Sequence, residues 1–314
     1  MAAGDGDRLA VVDIGSNSVR LFLCEGIGPD GPRGERFSTV TGLRRGAAED
    51  GTVAADALDR LDACLAGYAE RIGPFAPDRI VPVATSATRD APNHADVFAV
   101  VSGRLGVDPI VLSGEQEAAV SFAGARLAAE GDGPIMVVDI GGGSTEIVRG
   151  GPGGPDAAVS LQLGAVRHTE RHLHHDPPLP EEVGALAADA LETVRPAIER
   201  IGGPAPAVGV AGTITTLAAI ELGGYDRERV HRHRLTREGV AVEAARLAGM
   251  TVERRRSIPG LDPARAGVIA AGALILAAVM RAADLDRMMV SETDLLDGVA
   301  IAAAPATGGE SFRL

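Results

Sequence analysis

Apolar and polar positions along the chain follow two periods. Two β-branched runs, Val11-Val12-Asp13-Ile14 and Val137-Val138-Asp139-Ile140, each end in small residues and then enter a second apolar run, at 19–24 and 145–148. Both read as strand, tight turn, strand. Leu58, Leu61, Leu65, Tyr68 and Ile72 fall at spacings of three and four, which predicts an amphipathic helix. The pattern then predicts a strand over 80–84, a helix over 93–105, a strand over 110–112 and a helix from Ser113 to about 129. Gly131-Asp132-Gly133-Pro134 is the natural boundary, dividing the chain into domains over 1–130 and 131–303, with 304–314 expected to fray. In the second half, Val183, Ala187, Leu191, Val194, Ile198 and Ile201 mark a helix containing Pro196. A buried strand is predicted at 207–210 and another at 288–290, with helices over 216–222, 236–250 and 263–282.

The two strand-turn-strand segments are copies. Val11 to Ser18 recurs as Val137 to Ser144 at a constant offset of 126 residues, with six of eight positions identical. Two copies at domain spacing predict a duplicated α/β fold. Because each turn leads into a strand, neither is the dinucleotide fingerprint, whose glycine loop must open a helix.

Composition narrows the chemistry. The 314-residue chain contains no lysine, so its 30 basic residues are all arginine, against 43 acidic ones, and the formal net charge is −13. Phosphate binding by a P-loop or kinase lysine is excluded, as is Schiff-base catalysis; phosphate must be met by backbone N–H groups, hydroxyls, arginine or a metal. The acidic balance argues against nucleic acid and anionic membranes as partners. Cys24 and Cys64 form no framework, no secretory leader is apparent, and the uncharged stretch 266–280 is too short to span a bilayer, so a cytoplasmic protein is expected. That stretch suits either a monomer core or a homodimer interface.

Several constellations could carry chemistry. In both turns, Gly15-Ser16-Asn17-Ser18 and Gly141-Gly142-Gly143-Ser144, small residues let backbone N–H groups approach an anion, while Asp13 and Asp139 could hold Mg²⁺ or its waters. A single Asp-x-Gly is an ordinary turn former; two matched copies favour function. Ser113-Gly114-Glu115-Gln116-Glu117 reads as a capping box, and a carboxylate at that helix start stays ionised as a general base must, with Glu115 and Glu117 equally eligible. Arg89, in the hydroxyl-rich loop Ala84-Thr85-Ser86-Ala87-Thr88-Arg89-Asp90, is either a bidentate phosphate ligand or the ion-pair partner of Asp90. Gly212-Thr213 lies between a strand and its helix, as an anion site or an ordinary threonine cap. His168, His172, His174 and His175 form a cluster that reads as a solvated segment rather than a metal site.

Together these motifs resemble one family. Asp13 to Ser18 with Arg20-Leu21, Ala84 to Ala87 with Arg89-Asp90-Ala91 and Asn93, Ser113-Gly114 with Glu117-Ala118, Asp139 to Glu146, Leu163-Gly164 with Val166-Arg167, and Gly212-Thr213 are similar to the exopolyphosphatase and guanosine pentaphosphate phosphohydrolase (Ppx/GppA) family. The resemblance implies an α/β protein with two ribonuclease-H-like domains of the actin, sugar kinase and heat-shock chaperone superfamily flanking a cleft. It implies Mg²⁺-dependent release of terminal orthophosphate from inorganic polyphosphate. Glu117 would activate water, Asp139 and Glu146 would position Mg²⁺, and both small-residue loops with Arg20, Arg89, Gly212 and Thr213 would meet phosphate. The alternatives are hydrolysis of the 5′ γ-phosphate of guanosine pentaphosphate or a nucleoside triphosphate, and an ATP-binding kinase or switch. The last is disfavoured because Val210-Ala211-Gly212-Thr213 lacks the adjacent glycine pair of those relatives. Three segments depart from the family pattern: Gly42-Leu43-Arg44-Arg45-Gly46, Arg265-Ala266-Gly267, and Ser291 to Gly298, which lacks an arginine usual before its acid.

Overall fold

A computed structural model of the chain describes residues 8–45, 51–202 and 205–304. The 305–314 part of the expected tail and Gly46 lie outside the described residues. The chain forms two compact units, Met1–Leu127 with Leu295–Leu314, and Ala128–Asp294.

In the first unit β1 (Leu9–Ile14), β2 (Ser18–Gly28) and β3 (Gly31–Val40) form an antiparallel meander. Helix α1 (Ala55–Phe75) leads to β4 (Arg79–Ala84), which lies parallel to β1. Then come α2 (Ser86–Arg89), α3 (His94–Leu105), β5 (Ile110–Val111) parallel to β4, and α4 (Gly114–Arg126). The sheet order is β3-β2-β1-β4-β5. Every β1 residue is buried because alternate side chains enter two cores. Ala10, Val12 and Ile14 meet the apolar faces of α1 and α3 through Leu61, Leu65 and Val97, so the predicted three-and-four spacing is the buried stripe of α1. Each leucine so buried contributes roughly 1.5–3 kcal/mol.

The second unit repeats the plan with β6 (Ile135–Ile140), β7 (Thr145–Gly151) and β8 (Gly154–Leu161). Helices α5 (Ala165–His172) and α6 (Pro180–Ile201) precede β9 (Ala207–Val210), which is parallel to β6. Next come α7 (Ala211–Glu221), α8 (Arg227–Val230), edge strand β10 (Arg234–Thr236), α9 (Arg237–Ala248), α10 (Val252–Arg256), α11 (Ile269–Ala282) and β11 (Arg287–Val290). The order β10-β11-β9-β6-β7-β8 contains the first sheet's five-strand arrangement plus one antiparallel edge. Both units therefore have the expected ribonuclease-H-like α/β plan. Helix α11 is apolar nearly all round and lies in this unit's core, which answers the choice between core and interface.

Three readings are corrected. Segment 84–90 is not a loop: Thr88 and Arg89 donate N–H bonds to Thr85 O, forming the turn α2. Helix α7 starts at Ala211 rather than Thr216, so Gly212-Thr213 forms its first turn. The final helix α12 (Leu295–Ala303), placed by sequence with the second domain, belongs to the first unit. Leu295, Leu296 and Val299 cover the β1 face carrying Leu9 and Val11, together with Val120 of α4. Without that helix a row of apolar strand residues would lack half its cover.

Candidate active site

In the first unit the turn after β1 is closed by Gly15 N–H donating to Ser18 O at 3.1 Å. Its carbonyls are held from behind: Gly42 N–H donates to Asn17 O at 2.8 Å and Arg44 N–H to Ser16 O at 2.9 Å. The departing segment at 42–45 thus supports the loop through its backbone, whatever its side chains. Ser16 Oγ lies 3.1 Å from Ser86 Oγ in α2, a contact sequence reading missed. Asp13 faces Arg20 across the β1–β2 ladder, and Arg20 Nε and Nη2 both donate to Asp13 Oδ2, at 2.9 and 2.8 Å.

The capping box is present: Gln116 N–H donates to Ser113 Oγ at 3.1 Å, and Ser113 N–H to Gln116 Oε1 at 2.9 Å. It orients the first turn of α4 so that Glu115 is exposed while Glu117 is buried at 7% exposure. Burial thus distinguishes two carboxylates that helix spacing left equivalent. Arg89 Nη1 donates to Glu117 Oε2 at 3.0 Å and to Leu112 O at 2.8 Å, and its Nε lies 3.6 Å from Asp90. Arg89 therefore orients Glu117 and neutralises its charge, and the Asp90 pair is also present.

In the second unit, Asp139 and Glu146 are direct ladder partners, and direct partners project to the same sheet face. They are 7% and 2% exposed, and Ser160 Oγ, on β8, donates to Glu146 Oε1 at 2.7 Å. At the equivalent position of the first copy, Arg20 stands opposite Asp13. Two buried carboxylates side by side form a hard-oxygen donor set that fits Mg²⁺; in the first copy Arg20 takes the place of the second carboxylate.

The loop at 141–144 is gripped by the N-terminus of α5. Ala165 N–H donates to Gly141 O at 3.0 Å, Val166 and Arg167 N–H donate to Gly142 O at 2.9 and 3.1 Å, and Arg167 Nε donates to Gly143 O at 2.8 Å. Thr145 Oγ1 donates to Leu163 O at 2.5 Å. Fixing the carbonyls on one side leaves the loop's backbone geometry set for an anion on the other. Gly164 is required by close approach, since a Cβ there would sit 2.4 Å from Gly142 O.

At the end of β9, Ala211 adopts a left-handed φ of 67°, a strained conformation for a residue with a side chain, where α7 begins. A Cβ on Gly212 would meet Arg265 Nη1 at 1.9 Å, so this guanidinium lies across the first turn of α7, while Thr213 is buried. Sequence reading noticed Arg265 only as part of a departing segment; its place beside Gly212 needs the fold. In the histidine cluster, His175 Nδ1 pairs with Glu182 at 2.8 Å, and Glu182 also accepts the Leu179 and His174 N–H groups. These bonds hold the Glu182 carboxyl down to about 2. The cluster's outer members are thus tied to the glutamate that caps the start of α6.

Two copies of an aspartate-bearing hairpin with a small-residue loop, one with a second buried carboxylate, define an enzyme class built to handle phosphoryl groups. The chain belongs to the Ppx/GppA phosphatase family, whose profile matches residues 36–306. It is 36% identical over 317 aligned residues to Exopolyphosphatase 2 of Mycobacterium tuberculosis, covering 95% of this chain and 98% of that protein. A crystal structure of an exopolyphosphatase-like protein superposes with a TM-score of 0.87 at 34% identity, covering 94% and 97% of the two chains. The Aquifex aeolicus family member superposes at 0.76 with 31% identity, covering 94% and 96%. Among the described residues, no helix is long and apolar enough to cross a membrane.

Proposed function

We propose that this protein is a Mg²⁺-dependent exopolyphosphatase that releases terminal orthophosphate from inorganic polyphosphate. The observation that carries the reading is the Asp139–Glu146 carboxylate pair beside the gripped loop at 141–144. Its similarity to Exopolyphosphatase 2 supports the substrate class. Glu117 accepts the proton of a water attacking the terminal phosphorus; the P–O–P bond breaks, and a chain one phosphate shorter leaves. Arg89 holds Glu117 in orientation. Gly15, Ser16, Asn17 and Ser18, and Gly141 to Ser144 with Gly212 and Thr213, bind phosphate oxygens, aided by Arg265. Asp139 and Glu146 would hold Mg²⁺, which supplies charge neutralisation for those oxygens. Only the second copy pairs two carboxylates across the ladder, where the first has Asp13 and Arg20, so we assign the metal to the second copy. With positive charge supplied locally, a net-acidic protein can accept a polyanion. Two buried free cysteines suit a reducing cytoplasm.

Orthophosphate release should be measured on polyphosphates of defined length, beside guanosine pentaphosphate and ATP. The proposal expects polyphosphate to be shortened one unit at a time and to outcompete both nucleotides. Preferred release from guanosine pentaphosphate, or tight ATP binding without release from polyphosphate, would overturn it.

A further inference from the structure

The N–H of Gly164 is the starting point. Gly164 is the N-cap of α5, it is buried, and its peptide is pressed against Gly142 and Gly143. A buried N–H must find an acceptor. It finds one four residues on, in His168 Nδ1 at 3.3 Å. His168 is 1% exposed. A ring nitrogen that accepts carries no proton, so the neutral ring is protonated at Nε2, which lies 3.5 Å from Asp189 Oδ2 on α6. Burial pushes the imidazole pKa down, which favours the same neutral form. His172 Nε2 lies 2.8 Å from the same Asp189 oxygen.

These three side chains are also close enough to invite a metal, with one ligand atom from each within 4.8 Å of the others. The Gly164 bond argues against it. A metal on Nε2 would move the ring proton to Nδ1, where it would face the Gly164 N–H, donor against donor.

We infer that His168 is a positioning residue for the glycine-rich loop, its Nδ1 fixing the Gly164 N-cap and Asp189 fixing its tautomer. The ring holds the N-cap, and the three N–H groups that follow hold the loop carbonyls. This rests on the reading of 141–144 as a phosphate loop.

The test compares His168→Asn with His168→Leu in the full chain. Asparagine Oδ1 stands as far from Cβ as imidazole Nδ1, so the first variant keeps the acceptor and the second deletes it. Without substrate, amide exchange at Gly164 and residues 165–167 should rise about tenfold in His168→Leu and stay near wild type in His168→Asn. Exchange in α11 should stay unchanged in both. With polyphosphate, His168→Leu should raise KM about tenfold with a smaller change in kcat, and His168→Asn should restore it. If His168→Leu does not fold, Asp189→Asn should show the same pattern in weaker form. Equal effects of Leu and Asn, unchanged exchange at 165–167, or stoichiometric zinc in the wild type that His168→Asn loses would each overturn the inference. A wild type inactive on polyphosphate but passing the exchange test would reject the substrate reading and leave the positioning role standing.

Discussion

Replacing Gly164 by alanine puts a methyl carbon where the backbone of the 141–144 loop lies. The added Cβ would meet Gly142 O and Gly143 C at 2.4 Å, whereas ordinary contact begins at 3.4 Å. The loop or the N-terminus of α5 must therefore move by about 1 Å, the scale of misplacement that can cost a reaction on the order of 10²-fold. Neither side can yield freely, because the Gly141 and Gly142 carbonyls are bonded to the three N–H groups that follow Gly164. Each such bond is worth about 1 kcal/mol, so relaxation by breaking them trades strain for lost hydrogen bonds. Gly164→Ala should lower kcat/KM for polyphosphate about 100-fold and stability by about 1–3 kcal/mol. Steady-state orthophosphate release and urea denaturation read the two effects. Gly184→Ala is the control: it lies within α6, nothing is within 4 Å of its added Cβ, and it should be neutral or stabilising by up to about 1 kcal/mol. A Gly164→Ala enzyme within about twofold of wild type would refute the argument that this grip shapes the loop.

Asp297 is fully buried and accepts Arg36 Nη2 at 2.5 Å, while that guanidinium lies 3.8 Å from the Phe22 ring centroid. Asp297→Ala should cost about 3–5 kcal/mol in urea unfolding by leaving the arginine unpaired, and a loss under about 1 kcal/mol would contradict that. The thermal midpoint should fall in acid in two stages. Burial lowers the His168 pKa, so the unfolded chain takes up a proton near 6.5 that the folded chain resists, and this contribution, complete above 6.5, fades as pH drops below it. The Glu182 carboxyl sits at about 2 rather than 4.5, so its contribution is present above 4.5 and is lost as pH falls toward 2. A midpoint unchanged between about pH 7 and 3 would reject both assignments.

The hairpin repeat was legible because near-identity at a fixed offset survives without coordinates, and the α1 stripe because its period matches its burial. Other features depend on contacts far apart in sequence. Glu115 and Glu117 both belong to the first turn of α4, and only packing buries one of them. Strands β3 and β8 carry many exposed or half-exposed residues, so neither shows an apolar run, and Ser160 could not be tied to Glu146 without the β7–β8 register. Asp297 and Gly298 lie in a segment that departs from the family pattern only in the residue before its acid. Both dock α12, since Asp297 accepts Arg36 Nη2 of β3 and a Cβ on Gly298 would lie 1.8 Å from Val120 O.

The most direct test compares wild type with Glu117→Gln on polyphosphate at saturating Mg²⁺. Glutamine keeps the side-chain size and can still meet Arg89 through its carbonyl, but it cannot accept the water's proton. The account predicts a loss of about 10²–10⁴-fold in kcat with a thermal midpoint near that of wild type. Equal rates of orthophosphate release by the two proteins would contradict it.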